Sequence, residues 1–314
     1  MKVSTVSNAN LELKMKSKEV KKRRKRKKAL AISLFLLPAL VVYLIFIIYP
    51  IIATFNYSLL DWNGMSESIF IGLDNFKQLL TDSSFWYALR NNMYLVLVSV
   101  FVQVPLGLAM ALILLSKIKG TKLLNVLFFL PYLMSAVAIG LLWVFMYDPA
   151  NGPINMALNA FGFESISWLA SNNIAIIAVL IVLVWQFAPF YMILFKASMV
   201  GIPEEMYEAA SIDGANSFQK FYKITLPFLM PTIVSSSVLA VVGSLKTFDV
   251  FYIMVGGSSG GSTEILGTYM YRQTFVNFNM GYGSAISSVM FIIALLSVIV
   301  ILFGDSQRRK RGEA

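Results

Sequence analysis

The strongest constraint on this sequence is a series of long apolar stretches separated by shorter polar segments. A membrane-spanning helix needs ~20 mostly apolar residues to cross ~30 Å of hydrocarbon. Six stretches meet that requirement: Leu30–Ala53, Asn91–Leu115, Leu123–Phe145, Ile174–Phe195, Phe228–Ser244 and Ala285–Phe303. They lack the alternation of barrel strands, so only helices can pair their backbone groups in lipid. We therefore expect an all-α integral membrane protein with six transmembrane helices.

The positions of the basic residues predict the orientation of these spans. If the spans alternate in direction, nearly all of the 26 Lys and Arg residues lie on one side. The exceptions are Lys77, Arg90, Lys246 and Arg272. Cytoplasmic segments carry the excess of Lys and Arg in membrane proteins, so both termini are predicted to be cytoplasmic.

The distribution of charged and apolar residues divides the chain into three parts. They are a basic cytoplasmic tail over residues 1–28, a six-helix domain over 29–304 and a second basic tail over 305–314. The first tail holds 12 Lys and Arg and directly precedes an apolar span. We interpret it as an anchor on the inner membrane surface and expect no nucleic-acid partner.

The chain contains no cysteine and no histidine, which narrows its chemistry. Disulfides and thiolate chemistry are excluded, and so are the commonest general base and metal ligand. Gly256–Thr263 (GGSSGGST) resembles a phosphate-binding loop, but Ser262 stands where the lysine is needed. A serine hydrolase at the same glycines would need a base that the sequence does not supply. We expect no catalytic residue, no metal site and no cofactor in this chain.

The only long amphipathic and charged passage between apolar segments in the second half covers residues 201–226. Pro203–Ile212 is predicted to be a helix, with proline at its first position and two glutamates in its first turn. Asp213-Gly214 is a turn dipeptide, and Ala215–Leu226 carries apolar residues at helical spacing. This pattern predicts an elbow of two short helices between two spans, which we call the elbow.

The amino-acid sequence of the elbow resembles the cytoplasmic coupling loop of ATP-binding-cassette (ABC) importer permeases. The pattern E-A-A-x-x-D-G-A is matched by Glu208, Ala209, Ala210, Asp213, Gly214 and Ala215. Looser agreement at Gly72–Phe76, Phe129–Pro131 and Trp143–Gly152 is similar to carbohydrate permeases of the maltose or glycerol-phosphate type. The loop after the fifth span departs from that pattern at Val255 and Ser258.

The resemblance implies the type I ABC importer permease fold, in a prokaryotic inner membrane that surrounds the chain with lipid. It implies a second permease subunit, forming a heterodimer, and an extracellular solute-binding protein. It also implies two ATPase subunits, which would hold ATP and Mg. The six matched elbow residues would then be the coupling site, with Glu208 facing a cationic group of the ATPase.

The substrate path is expected in the spans next to the elbow. Gln186 is a lone polar residue in the fourth predicted span, and Phe190 lies one helical turn further on. In the fifth, Ser244, Thr247 and Phe248 are spaced at i, i+3 and i+4, which predicts one polar-aromatic helix face. Sugar sites combine such groups, but small polar residues also serve ordinary helix packing.

Three alternatives remain open at this point. A secondary transporter is disfavoured because the spans lack paired carboxylates at mid-depth. Glycerol phosphate or another small polar solute could replace a sugar, although the scarcity of cations in the spans favours a neutral sugar. The glycine-rich loop over residues 256–263 is either a flexible linker or a segment that enters the binding protein.

Overall fold

The computed structural model describes residues 24–25, 27–28, 32–116, 118–170, 174–256 and 263–310. Most of the predicted N-terminal tail, the last four residues and the centre of the glycine-rich loop lie outside that set. The described elements are α1 (Ile32–Tyr57), β1 (Leu60–Asp61), β2 (Ile69–Phe70), α2 (Asp74–Thr81), α3 (Ser83–Leu115), α4 (Thr121–Leu133), α5 (Ala136–Met146), α6 (Pro153–Ala160), α7 (Ile174–Val200), α8 (Glu204–Ile212), α9 (217–246), α10 (Asp249–Met254), α11 (Leu266–Tyr271) and α12 (Met280–Lys310).

The helical membrane architecture is confirmed, with one change. Among the described residues, five continuous stretches are long and apolar enough to cross a membrane: α1, α3, α7, α9 with α10, and α12. The sixth predicted span is the pair α4 and α5, bent by 99°. The structure divides into two units at Asn56, the first holding α1 and the second the remaining elements.

The stretch predicted as one span over Leu123–Phe145 is thus divided by this bend into two helices. The chain turns at Met134, which is extended with φ −76° and ψ 146°. Pro131 has no backbone N–H, so it weakens the last turns of α4 just before the bend. Ser135 then caps α5 by accepting a hydrogen bond from the N–H of Ala138 at 3.2 Å.

A small hairpin departs from the all-α prediction. Strands β1 and β2 pair antiparallel, with Leu60 opposite Phe70. The loop between them is held by Asn63, whose Oδ1 accepts hydrogen bonds from the N–H of Met65 at 2.9 Å and of Ser66 at 2.8 Å. Gly64 has a φ of +88°, which glycine adopts without strain. The Asn-Gly dipeptide is thus the sequence signal for this turn.

In the described part of the chain, three widened π turns interrupt the long helices, at Leu44–Ile48, Ser99–Gln103 and Phe221–Thr225. Each is followed at the same distance by a proline, namely Pro50, Pro105 and Pro227. Proline cannot bond the carbonyl four residues earlier, which is the central residue of the π turn in every case. The residue just before each proline instead bonds the carbonyl five residues back.

The core of the second unit depends on the close approach of α3 and α7. A Cβ added to Gly107 would lie 2.6 Å from Tyr191 Cβ and 2.9 Å from the carbonyl oxygen of Ala188. Only a residue without a side chain fits at that crossing. Buried apolar residues of both helices, including Ala111 and Met192, pack around it.

We predict that Gly107→Leu destabilises the protein by about 1–3 kcal/mol or more, because the new side chain must push the two backbones apart. The check is the midpoint of thermal unfolding in detergent. Gly304→Leu is the matched control, since nothing lies within 4 Å of a Cβ at Gly304. Equal midpoints for the two variants would contradict the prediction.

Candidate functional site

The first helix of the elbow ends in a defined stop. Asp213 is the C-cap of α8, and Gly214 follows with a φ of +75°. The N–H of Ala215 bonds the carbonyl of Ala210 at 2.8 Å, and the N–H of Gly214 bonds that of Ser211 at 3.1 Å. This pair of bonds is a Schellman motif, which needs a left-handed residue at the glycine position. The D-G-A part of the motif therefore specifies how α8 ends.

The boundaries of the elbow helices differ from the sequence prediction. Pro203 is the N-cap of α8 rather than its first helical residue. The second helix begins at Ser217, because Asn216 and Gln219 form a capping box with two bonds of 2.9 Å. This helix is α9, and it does not end at Leu226 but runs on to Lys246, since the π turn accommodates Pro227.

Two side-chain hydrogen bonds fix the angle between α8 and α9. The hydroxyls of Tyr207 and Thr225 lie 2.9 Å apart. Lys220 Nζ donates to Ser211 Oγ at 2.7 Å. Both bonds therefore hold α8 against the first turns of α9, which include the π turn that contains Thr225.

The exposed surface of the elbow is unusually apolar. Ile212 is 87% exposed and Phe218 is 69% exposed, and Tyr222, whose ring centroid lies 4.6 Å from that of Phe218, is also exposed. Among the predicted coupling residues, Glu208, Ala209, Asp213 and Gly214 are exposed, while Ala210 and Ala215 are half-buried. Exposed large apolar side chains in contact with one another, such as Phe218 and Tyr222, are typical of a surface that contacts another protein.

A cavity of about 220 Å³ opens between α3, α7 and α9, in the half of α9 away from the elbow. Its lining is mainly apolar, with polar groups from Ser99, Gln103, Ser244 and Thr247. Lys246 and Asp249 are its charged lining residues, and their formal charges cancel. Such a wall, apolar with a few polar groups, suits a small polar organic molecule.

Three of the predicted path residues lie in this cavity. Ser244, Thr247 and Phe248 all line it. They do not form the predicted helical face, because α9 ends at Lys246 and the next two residues leave helical geometry. Ser244 Oγ donates to Ser99 Oγ at 2.9 Å, which ties α9 to the π turn of α3.

The other two predicted residues, Gln186 and Phe190, lie outside the cavity lining. Gln186 is only 4% exposed, and within the described residues its Oε1 has no hydrogen-bond partner. Phe190 stacks on Tyr132 with ring centroids 5.6 Å apart. A role in the substrate path stays a prediction for both.

Sequence reasoning missed the polar residues that α3 contributes. Gln103 lines the cavity and donates from Nε2 to the carbonyl of Leu183 at 3.2 Å. Asn92 donates to the carbonyl of Ser244 at 3.1 Å and accepts from the N–H of Leu266 at 2.7 Å. The available signal was the presence of polar residues inside an apolar span. Burying a polar side chain in the membrane costs free energy, so such residues usually have a structural or functional role.

A second polar cluster lies around the start of α3, and its two carboxylates, Asp82 and Glu264, lie between the membrane-spanning segments. Arg272 pairs with Glu264 through two hydrogen bonds of 2.9 and 2.7 Å. Burial raises the pKa of the Glu264 carboxyl, and the partly opposing effect of Arg272 does not cancel the increase. Asn91 donates to the carbonyl of Glu264 at 2.7 Å, so this pair is also joined to α3.

Asp82 anchors the other side of this cluster. Its side chain caps α3 at the N–H of Ser84 and accepts hydrogen bonds from the hydroxyls of Tyr269 and Tyr282. Burial acts to raise the pKa of the Asp82 carboxyl, but the tyrosine and backbone hydrogen bonds outweigh it and hold the pKa below its usual value. Asp82 thereby joins α3, α11 and α12.

We predict that Asp82→Ala lowers the free energy of unfolding at pH 7 by about 1–3 kcal/mol, through loss of a helix cap and unsatisfied hydroxyls. Because the folded pKa is depressed, this stabilisation is present above the ordinary carboxyl pKa of about 4 and is lost as pH falls through the folded pKa. Thermal midpoints measured across this range check it. Asp61→Ala, at an exposed position, is the control and should show no such pH-dependent difference.

Comparisons with known proteins agree with this geometry. Residues 103–311 match the family model described as binding-protein-dependent transport system inner membrane component. A probable ABC transporter permease protein of Pyrococcus horikoshii is 36% identical over 88% of this chain and 96% of its own length. The trehalose/maltose transport system permease protein MalF of Thermococcus litoralis is 35% identical over 86% of this chain and 91% of its own length.

The fold is shared with a solved transporter. A chain in the crystal structure of a bacterial alginate ABC transporter, in complex with its alginate pentasaccharide-bound periplasmic protein, superposes with a TM-score of 0.79. It is 24% identical, and the match covers 90% of this chain and 96% of that one. The type I ABC importer permease fold is thus confirmed.

The chain belongs to the binding-protein-dependent transport system inner membrane component family. It is a multi-pass inner membrane permease of a carbohydrate-type ABC importer. As such it is a non-catalytic subunit, and the ATPase resides on partner subunits.

Proposed function

We propose that this permease forms half of the pathway for a neutral sugar or oligosaccharide delivered by an extracellular binding protein. Its other half would come from a second permease subunit in a heterodimer. Two ATPase subunits holding ATP and Mg would drive the cycle through the elbow. The observation that carries this proposal is that one continuous helix, α9, joins the elbow to the polar cavity.

Because α9 is continuous, a movement at one of its ends is transmitted to the other. Residues 217–246 rise about 45 Å as one helical rod, interrupted only by the π turn. The Tyr207–Thr225 and Lys220–Ser211 bonds hold α8 on the rod at one end. Ser244 lies at the other end, in the cavity wall. A displacement of the elbow by an ATPase would therefore move the cavity wall, and packed helices would switch between two arrangements.

Orientation follows from this proposal and from the positive charges. The elbow and both termini would be cytoplasmic, and the cavity end of α9 would face the binding protein. ATP must favour one of the two arrangements of the permease for this coupling to work.

The charge of the cavity supports a neutral substrate. Lys246 and Asp249 balance each other in its lining, whereas a phosphate would require an excess of cations. Hydroxyl and amide groups of Ser99, Gln103 and Ser244 can exchange hydrogen bonds with sugar hydroxyls. The relative named for trehalose and maltose transport points to the same class. Glycerol phosphate remains the second candidate, tested below.

We predict that Glu208→Lys lowers ATP-dependent uptake of labelled maltose about tenfold or more. The proposed contact pairs the Glu208 carboxylate with a cationic group of the ATPase, and lysine would place a second positive charge against that group. The assay uses the complete transporter in proteoliposomes, with ATP hydrolysis and co-purification of the ATPase measured in parallel. Glu164→Lys, also an exposed position, is the matched control. Normal uptake by the Glu208 variant would refute the coupling role, and uptake driven by an ion gradient without ATP would refute the proposed class.

For the cavity, we predict that Gln103→Leu raises the KM for uptake about tenfold, because a lining amide that can bond sugar is lost. Gln186→Leu makes the same change at the buried glutamine outside the lining, and the geometry predicts a smaller effect there. Excess unlabelled trehalose should compete with labelled maltose, and glycerol 3-phosphate should not. Competition by the phosphate alone would favour the second candidate.

A further inference from the structure

The helix α4 is held more loosely than the elements around it. All 13 of its residues are described, and Pro131 alone among them is buried. About half of the residues of α7, against which α4 packs, are buried. Segments with few buried contacts separate locally at a low free energy. Within this bundle, α4 is therefore the helix that can move most easily.

The end of α4 next to the bend is the better anchored of its two ends. Pro131 is buried there, and the ring of Tyr132 stacks on that of Phe190 in α7 with centroids 5.6 Å apart. The extended residue Met134 follows and separates α4 from α5. These contacts make the bend a pivot, so a movement of α4 displaces its opposite end the most.

A single polar contact holds that opposite end. Lys196 Nζ in α7 donates a hydrogen bond to Asn125 Oδ1 in α4 at 3.0 Å, and both residues are half-buried. Within the described ranges, this is the only side-chain hydrogen bond between α4 and another element. Leu124 and Phe128 add apolar contacts with the neighbouring core, but such contacts are not directional and can slide.

The chemistry of this contact allows it to open. Lys196 carries a positive charge in a membrane-spanning helix, yet neither salt bridge in the described part of the chain includes it. Its partner is a neutral amide, and an ammonium binds an amide less strongly than it binds a carboxylate. When the bond is open, the long lysine side chain can turn its charge towards water. The contact is therefore directional but breakable.

The same part of α7 is also tied to α9. Thr232 Oγ1 in α9 donates to Ser198 Oγ at 2.8 Å, two residues beyond Lys196. Leu229 in α9 shares a buried core with Phe195. Because α9 begins at the elbow, a displacement of the elbow reaches Lys196 through these contacts.

We propose that Lys196 is a positioning residue for transport, and that its hydrogen bond to Asn125 is a latch that opens and closes once in each cycle. The closed latch holds α4 against α7. Movement of α9 and α7 opens it, and α4 then turns about the bend at Met134. Lys196 lies outside the cavity lining, so it acts through α4 rather than on the substrate. This inference rests on the proposed function and names the helix that moves in it.

The test uses variants that strengthen or remove the latch. Each is assembled with its partner subunits in proteoliposomes, and ATP-dependent uptake of labelled maltose is measured together with ATP hydrolysis. We expect Asn125→Asp to slow both about fivefold or more at an unchanged ratio of maltose to ATP, because an ion pair is harder to separate. We expect Lys196→Met to lower that ratio about threefold or more, because ATP is then hydrolysed without control of α4.

Two further variants supply the rescue and the control. The double variant Asn125→Asp/Lys196→Gln again pairs one charged group with one amide, so turnover should return to within about twofold of the wild type. Lys122→Met removes an exposed cation one turn earlier on α4. Uptake and hydrolysis by this control should match those of the wild type.

Each contrary result overturns the latch. Unchanged turnover in Asn125→Asp, with a thermal midpoint at or above that of the wild type, shows that the bond is a permanent brace. Slow turnover that the double variant does not restore shows that the carboxylate acts elsewhere. Equal effects of Lys122→Met and Lys196→Met assign the loss to surface charge.

Failure of the proposed function gives a different result. A wild-type transporter that imports no saccharide removes the proposed substrate class, whichever variant is studied. ATP hydrolysis by the same set of variants still tests the latch in that case, because it counts cycles whatever solute is carried.

Discussion

Every interruption of a helix in lipid leaves backbone groups that need a partner, because hydrocarbon supplies none. This requirement explains where the polar residues of the chain are placed. Ser135 caps the helix that restarts after the bend at Met134. Asn92 bonds the carbonyl of Ser244 where α9 comes to its end. The helices can therefore bend beside the cavity without leaving their backbone unsatisfied.

The elbow satisfies the same requirement in water with a different set of contacts. The Schellman bonds at Gly214 close α8, and the Asn216–Gln219 capping box opens the next helix. Both ends are satisfied within the elbow itself, so its exposed surface is left for other contacts. An element that transmits force must be rigid. The elbow is rigid because of these local bonds, and α9 continues from it as one helix.

The sequence predicted the elements whose signals are local and strong. The length of the apolar stretches located five of the spans. The E-A-A-x-x-D-G-A motif identified the family, because helix caps and turns require particular residue types. The bend at Met134 could have been anticipated from Pro131 and Ser135, but apolar length alone concealed it. The hairpin at Asn63 was missed for a similar reason, since two-residue strands give no periodicity.

The cavity was harder to predict because its composition depends on how helices rotate against one another. Gln103 and Gln186 look alike in sequence, each a single amide in an apolar run, yet only Gln103 lines the cavity. The close approach at Gly107 decides which face of α3 turns inward. Thr247 and Phe248 do reach the cavity, but through the end of a helix rather than along its face.

The π turn at Phe221–Thr225 has a consequence for how this protein can vary in length. A helix advances by about 100° per residue, and a π turn takes up one extra residue without changing the angular phase of the turns on either side. An insertion or deletion in the regular part of α9 beyond Pro227 would therefore swing Ser244 away from Ser99, whereas the π turn is the place where the rod can absorb a residue.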